Sequence, residues 1–231
     1  MFVKKDLRKI PVIMNDAMKT MNNGTNAEND NDINNNDSNN NNGPSLTELR
    51  LARRPTEFKD GLKNVLCQPR YIPALSNLIS LSLYDCSISN LDGIGFFASS
   101  PITAYDEEKM DIDNGSSSNN VNEETIVCPN LEELNLGRNP LKSLPDELGS
   151  LSTSLKSLWL DDCEIEGSLP DCLYQLDKLE MLRISNNRIT ELNDGVGRWK
   201  HMKILCLDGN EIHTLPKVFT ELTNLKSLLV R

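Results

Sequence analysis

Leucines fall at positions 131, 134, 136, 141, 144, 148 and 151, with Asn139 among them. Neither one strand of period two nor one helix accounts for that spacing. The opening LxxLxL alternates as a strand does, so Leu134 and Leu136 point to one face. Past Asn139 the leucines stand three or four apart, which predicts a short helical or 3₁₀ return. A single strand, turn and return arm cannot bury its own leucines. Stacked copies can, forming one continuous core and a parallel sheet with one open face.

The copies are present. LKSLWLDDCEI starts at Leu155, LEMLRISNNRI at Leu179, MKILCLDGNEI at Met202 and LKSLLVR at Leu225, so the steps from Leu131 are 24, 24, 23 and 23 residues. LISLSLYDCSI at Leu78 has the same form, and LTELRLARRPT at Leu46 is a weaker copy. The form LxxLxLxxNxL, in register from Leu46 to Arg231, resembles the leucine-rich repeat family, L domain-like. That resemblance implies an α/β solenoid, a right-handed β-α superhelix whose strands make a curved parallel sheet and whose return arms are helical or 3₁₀. NPLKSLPDELGSL and NEIHTLPKVFTEL resemble the intracellular, Ras-associated class, whereas CEIEGSLPDCLYQL carries a GSLP step nearer the plant-receptor style and one extra residue.

Asn139, Asn187 and Asn210 occupy the ninth position of their repeats, where a buried amide must find partners. In the family this residue bonds backbone of adjacent turns and builds a ladder. Cys86 and Cys163 take the same position here, and Arg54 takes it in the first copy, which points to a modified N-terminal cap.

Two insertions dilute the core. Residues 22–42 hold twelve Asn in 21 positions and one branched apolar residue, Ile33, so residues 1–45 are predicted disordered. The step from Leu78 to Leu131 is 53 residues, one repeat of 23 plus 30 extra, and the run 92–127 carries eight acids against one lysine. An acidic, disordered excursion from the solenoid is expected there, and Ser116–Ser118 within it are open to phosphorylation. The repeat domain therefore spans 46–231 with this interruption.

The chain has 231 residues and a net charge of −10, with no basic stripe, which excludes nucleic acid as a partner. The N-terminal segment is basic but lacks the apolar run of a signal peptide, and no stretch is long and apolar enough to span a membrane. The six cysteines are scattered rather than paired, which with no signal peptide predicts reduced thiols in the cytoplasm or nucleus, and leaves the sequons at Asn23, Asn36 and Asn114 without meaning. No catalytic, metal or cofactor motif is present, and the adjacent Asp161 and Asp162 point to opposite sides of a strand. The expectation is a non-enzymatic scaffold for signal transduction.

Binding is expected on the open sheet face, formed by the third, fifth and seventh residue of each repeat. Trp159, Asp161, Met181, Arg183, Ile204 and Asp208 are the candidate residues for a partner protein, with Tyr84 further along the face. Trp159 is the apolar anchor of that site, and Arg183 and Asp161 set its polar orientation. LKSLLVR stops before its turn and has no polar cap, so the chain is expected to be part of a longer protein, or to self-associate through this last edge. A recognition segment of a larger signalling enzyme, such as a kinase, phosphatase or cyclase, or of a receptor is the alternative function.

Overall fold

The computed structural model describes residues 46–53, 58, 62–67, 75–97 and 128–231. Arg54, the Asn-rich tract, the basic N-terminal segment, the three sequons and most of the acidic run, including Ser116–Ser118, lie outside them.

Each LxxLxL stretch contributes one three-residue strand. These are β1 (Glu48–Arg50), β2 (Ser80–Ser82), β3 (Glu133–Asn135), β4 (Ser157–Trp159), β6 (Met181–Arg183), β8 (Ile204–Cys206) and β9 (Ser227–Leu229). They form one seven-stranded parallel sheet in the order β1-β2-β3-β4-β6-β8-β9. The fourth-position leucines stand opposite one another across it, Leu49, Leu81, Leu134, Leu158, Leu182, Leu205 and Leu228. Identical spacing in sequence thus becomes identical height in space. Return arms are 3₁₀ turns at Ile94–Phe97, Asp146–Thr153, Asp194–Arg198 and Lys217–Glu221, and single α-turns α1 (Leu62–Val65) and α2 (Asp171–Tyr174).

The core lies between the sheet and these arms. Leu131, Leu134, Leu136, Leu148, Leu155, Leu158, Leu179 and Leu182 are fully buried. Each contributes about 1.5–3 kcal/mol of burial, against the entropy of ordering its repeat. Trp199 fills the arm after β6: its indole N–H donates to the Leu173 carbonyl at 2.9 Å, and its ring lies 5.4 Å from that of Tyr174. At β9 the burial ends, and Leu228 is 40 % exposed where its equivalents Leu182 and Leu205 are sealed.

The corner after each strand has a fixed conformation. The eighth residues Arg53, Asp85, Arg138, Asp162 and Asn186 all have φ between 57° and 60°, and Gly209 has φ 70°. This left-handed corner turns the chain off the sheet, and Asn, Asp and Gly adopt it most readily. Gly209 is also held by space, because a Cβ there would meet Asn186 Oδ1 at 2.4 Å.

The repeat with the GSLP step builds a second, two-stranded sheet. Its β5 (Glu166–Ser168) pairs in parallel with β7 (Arg188–Glu191), with an irregularity between Gly167 and Ser168. Gly167 has φ 81° there.

Candidate functional site

The ninth positions tie the corners together. Asn139 Oδ1 accepts from the backbone N–H of Cys86 and of Ile88, both at 3.0 Å, and its Nδ2 donates to the Leu83 and Leu136 carbonyls. Asn187 repeats this one pair of repeats later, with Cys163 and Ile165 as donors and Leu160, Ile184 and Ser185 as acceptors. Asn210 accepts from Ile189 and donates to Ile184 and Leu207. A thiol has one donor and no comparable acceptor. Cys86 and Cys163 therefore donate back to Leu51 and Leu136, and the Leu141 N–H that faces Cys163 turns to backbone carbonyls instead. From Cys86 to Asn187 cysteine and asparagine alternate, and each asparagine amide bonds the preceding corner and its own.

With the corners set, the open face of the sheet is read row by row. The fifth-position row runs Arg50, Ser82, Asn135, Trp159, Arg183, Cys206, Leu229, and the third-position row runs Glu48, Ser80, Glu133, Ser157, Met181, Ile204, Ser227. The first three strands carry polar or small residues on this face, and the last four gather the apolar ones. Trp159, Met181 and Ile204 are half-buried, Leu229 is exposed, and Cys206 is buried at 9 % exposure. Trp159 is less open than its position in the repeat predicts.

Polar groups fix the rim of this apolar stretch. Arg183 Nε lies 3.0 Å from Asp161 Oδ2, while Asp161 Oδ1 accepts from the Ser185 N–H at 2.9 Å. Ser185 Oγ donates to Asp208 Oδ1 at 3.2 Å. Ser185, which its seventh position assigns to the open face, is buried by this network. Both Asp161 oxygens are occupied, one by Arg183 and one by the Ser185 N–H. Beyond the rim an open groove of about 370 Å³ runs along the corners, lined by Asp162, Glu164, Asn186, Asn187, Arg188 and Gly209.

Tyr84 belongs to a different neighbourhood. It stands on the polar half of the sheet with the Arg138 guanidinium 5.6 Å above its ring, and Gly137 leaves the space it packs into. The structure brings Trp159, Asp161, Met181, Arg183, Ile204 and Asp208 together and leaves Tyr84 apart.

A charge ladder at the second positions escaped the sequence reading. Glu132, Lys156, Glu180 and Lys203 stand in line before successive strands, with Lys156 Nζ 2.7 Å from Glu132 and Lys203 Nζ 2.6 Å from Glu180. Lys203 holds the Glu180 carboxyl below the usual range, and Glu132 raises Lys156. The signal was available as alternating sign at a period of 23–24 residues.

None of the six cysteines is in a disulfide. Burial pushes Cys163 and Cys172 up to about 12 and Cys67 to about 11, and also raises Cys128. Burial raises Cys206 too, with the neighbouring Arg183 opposing it. Among the described residues no group of three or more His, Cys, Asp or Glu is placed to hold a metal ion. No helix among them is long and apolar enough to cross a membrane.

Comparison with known proteins agrees with this geometry. The family described as "Leucine rich repeat" matches residues 129–189 and 177–231. A Dictyostelium discoideum protein named probable serine/threonine-protein kinase pats1 is 32 % identical over 170 residues, covering 68 % of this chain and 5 % of its own. A second from the same organism, probable inactive serine/threonine-protein kinase roco10, is 34 % identical over 104 residues, covering 43 % of this chain and 4 % of its own. The chain thus spans about one-twentieth of the length of these curated relatives. Among solved structures, a Leptospira interrogans leucine-rich repeat protein superposes with a TM-score of 0.57 at 24 % identity, over 80 % of this chain and 37 % of that one. TLR13, solved in a complex with ssRNA13, superposes at 0.50 with 25 % identity, over 80 % of this chain and 20 % of that one. Seven strands in one register, an amide ladder at the ninth positions and these likenesses carry one conclusion: the chain belongs to the leucine-rich repeat family.

Proposed function

We propose that this chain is a non-enzymatic interaction module that binds a partner protein through the open face of β4, β6 and β8. One observation carries this reading. Trp159, Met181 and Ile204 lie on neighbouring strands as a half-buried apolar stretch, bordered by an Asp161–Arg183 pair already fixed in place. Large apolar side chains beside preorganised polar groups are what interface anchors look like. Trp159 supplies contact area, and Arg183, Asp161 and Asp208 orient the partner. Scaffolding in signal transduction, in the cytoplasm or nucleus, is the setting this reading gives it.

The test is paired affinity capture with the full chain and its Trp159→Ala/Arg183→Glu variant, both checked by circular dichroism. A protein retained by the first and lost by the second supports the site. Equal recovery from two equally folded baits moves binding to another surface.

A second reading has its own support. The chain matches about one-twentieth of two long Dictyostelium proteins named as a probable kinase and a probable inactive kinase. It is then the recognition segment of a larger signalling protein, and the exposed β9 edge is where a further repeat or a second copy pairs. Transcript sequence reading through Arg231 into more repeats or a kinase domain supports this reading, and a stop codon there counts against it.

A further inference from the structure

The acidic, partly apolar face has a matching segment in its own chain. We infer that residues 2–14, FVKKDLRKIPVIM, are an intramolecular occupant of the β4-β6-β8 face, competing with any partner for it.

The match is chemical first. The face presents Trp159, Met181 and Ile204. Its cation, Arg183, is taken up by Asp161. Asp208 on the face, Glu133 on the neighbouring β3 and Glu164 on the adjoining groove have no cationic partner among the described residues. The site therefore takes a segment that is both apolar and basic. Residues 2–14 carry Lys4, Lys5, Arg8 and Lys9 against Asp6, a net of +3, interleaved with Phe2, Val3, Leu7, Ile10, Val12, Ile13 and Met14, in a chain whose total is −10. The acidic run 92–127, with eight acids and one lysine, has the wrong sign for the same role.

The match is also one of reach. Thirty-one residues, 15–45, separate this segment from Leu46 at the start of β1. A coil of that length has a root-mean-square span of about 30 Å. From β1 the sheet passes β2, β3 and β4 before β6 and β8. At about 4.8 Å per strand that is roughly 19–24 Å. A tether matched to its span gives an effective concentration of about 1 mM, so weak contacts suffice for occupancy.

The test needs no partner and is independent of whether one is found. A benzophenone amino acid replaces Leu7 in the full chain, and its photo-cross-links are mapped by mass spectrometry. Expected are links within one chain to Trp159, Met181 or Ile204. They should fall at least several-fold in 0.5 M salt, where the screening length is about 4 Å. They should vanish in a Lys4→Glu/Lys5→Glu/Arg8→Glu/Lys9→Glu variant with an unchanged circular dichroism spectrum. A synthetic peptide of residues 2–14 added to that variant should bind with a Kd of about 1 mM or below. Links confined to other surfaces, links only between chains, or a pattern indifferent to charge reversal overturn the inference.

Discussion

Replacing Asn187 by alanine tests the ladder as a source of stability. The amide makes five hydrogen bonds and is 6 % exposed. Two of its acceptors keep another partner, since Ser185 O also receives the Asp162 N–H and Ile184 O also receives Asn210 Nδ2. Three groups are left with nothing, the N–H groups of Cys163 and Ile165 and the carbonyl of Leu160. At about 1–3 kcal/mol for each buried group left unpaired, Asn187→Ala should cost roughly 3–5 kcal/mol, allowing for relaxation. Asn210→Ala is the internal control. It strands the Ile189 N–H and the Leu207 carbonyl, but Asn210 is only half-buried and water replaces it, so the loss should be about 1 kcal/mol. Urea unfolding followed by fluorescence of the buried Trp199 reads both variants. Equal losses in the two, or a loss at Asn187 under about 1 kcal/mol, would refute the assignment of stability to buried amide partners.

Three further outcomes follow from the same frame. Gly209→Ala adds a Cβ at φ 70° that meets Asn186 Oδ1 at 2.4 Å, and should lower the denaturation midpoint by the equivalent of about 1–2 kcal/mol. Leu205→Ala, in a fully buried site, should cost about 2–5 kcal/mol, whereas Leu228→Ala at 40 % exposure should cost well under half as much, both read by thermal melting. Burial keeps the Cys163 and Cys172 thiols protonated up to about pH 12 in the folded chain, while the unfolded thiols ionise near 9. The folded state therefore holds more protons between these values, so this contribution is whole below pH 9 and is lost as pH rises toward 12. Stability measured from pH 8 to 11 should fall, and Cys172→Ala should flatten that fall by about 1 kcal/mol per pH unit.

Much of the fold was legible because each repeat states its own burial. A leucine at the first, fourth and sixth position needs no distant information to choose its face, and seven such statements in register specify the sheet. The parts that escaped depend on two repeats at once. Trp159 was readable as a face residue, but its half-burial depends on the flanking strands, where Asn135 and Arg183 are its register partners. Ser185 and Cys206 were assigned to the open face by position and are buried, Ser185 bonded to Asp161 and Asp208. The second sheet formed because the GSLP step extends one return arm alongside the next, a pairing that period counting does not contain. Tyr84 was grouped with the site by row, and the strand spacing between β2 and β4 separates them.

The alternation of the ladder sets how this chain can change length. Cys86 is followed by Asn139, and Cys163 by Asn187, whose amide oxygens receive the N–H groups of the preceding corner. Corner charges alternate in step, with Arg53 beside Asp85 and Arg138 beside Asp162. Excising residues 131–154 alone would set Cys86 before Cys163 and Asp85 beside Asp162, removing the amide acceptor of two N–H groups and facing like charges. Excising 131–178 would set Asn187 after Cys86 and Asn186 beside Asp85, and both conflicts disappear. The heritable module of this part of the solenoid is the pair of repeats, and gain or loss of segments here should go by twos.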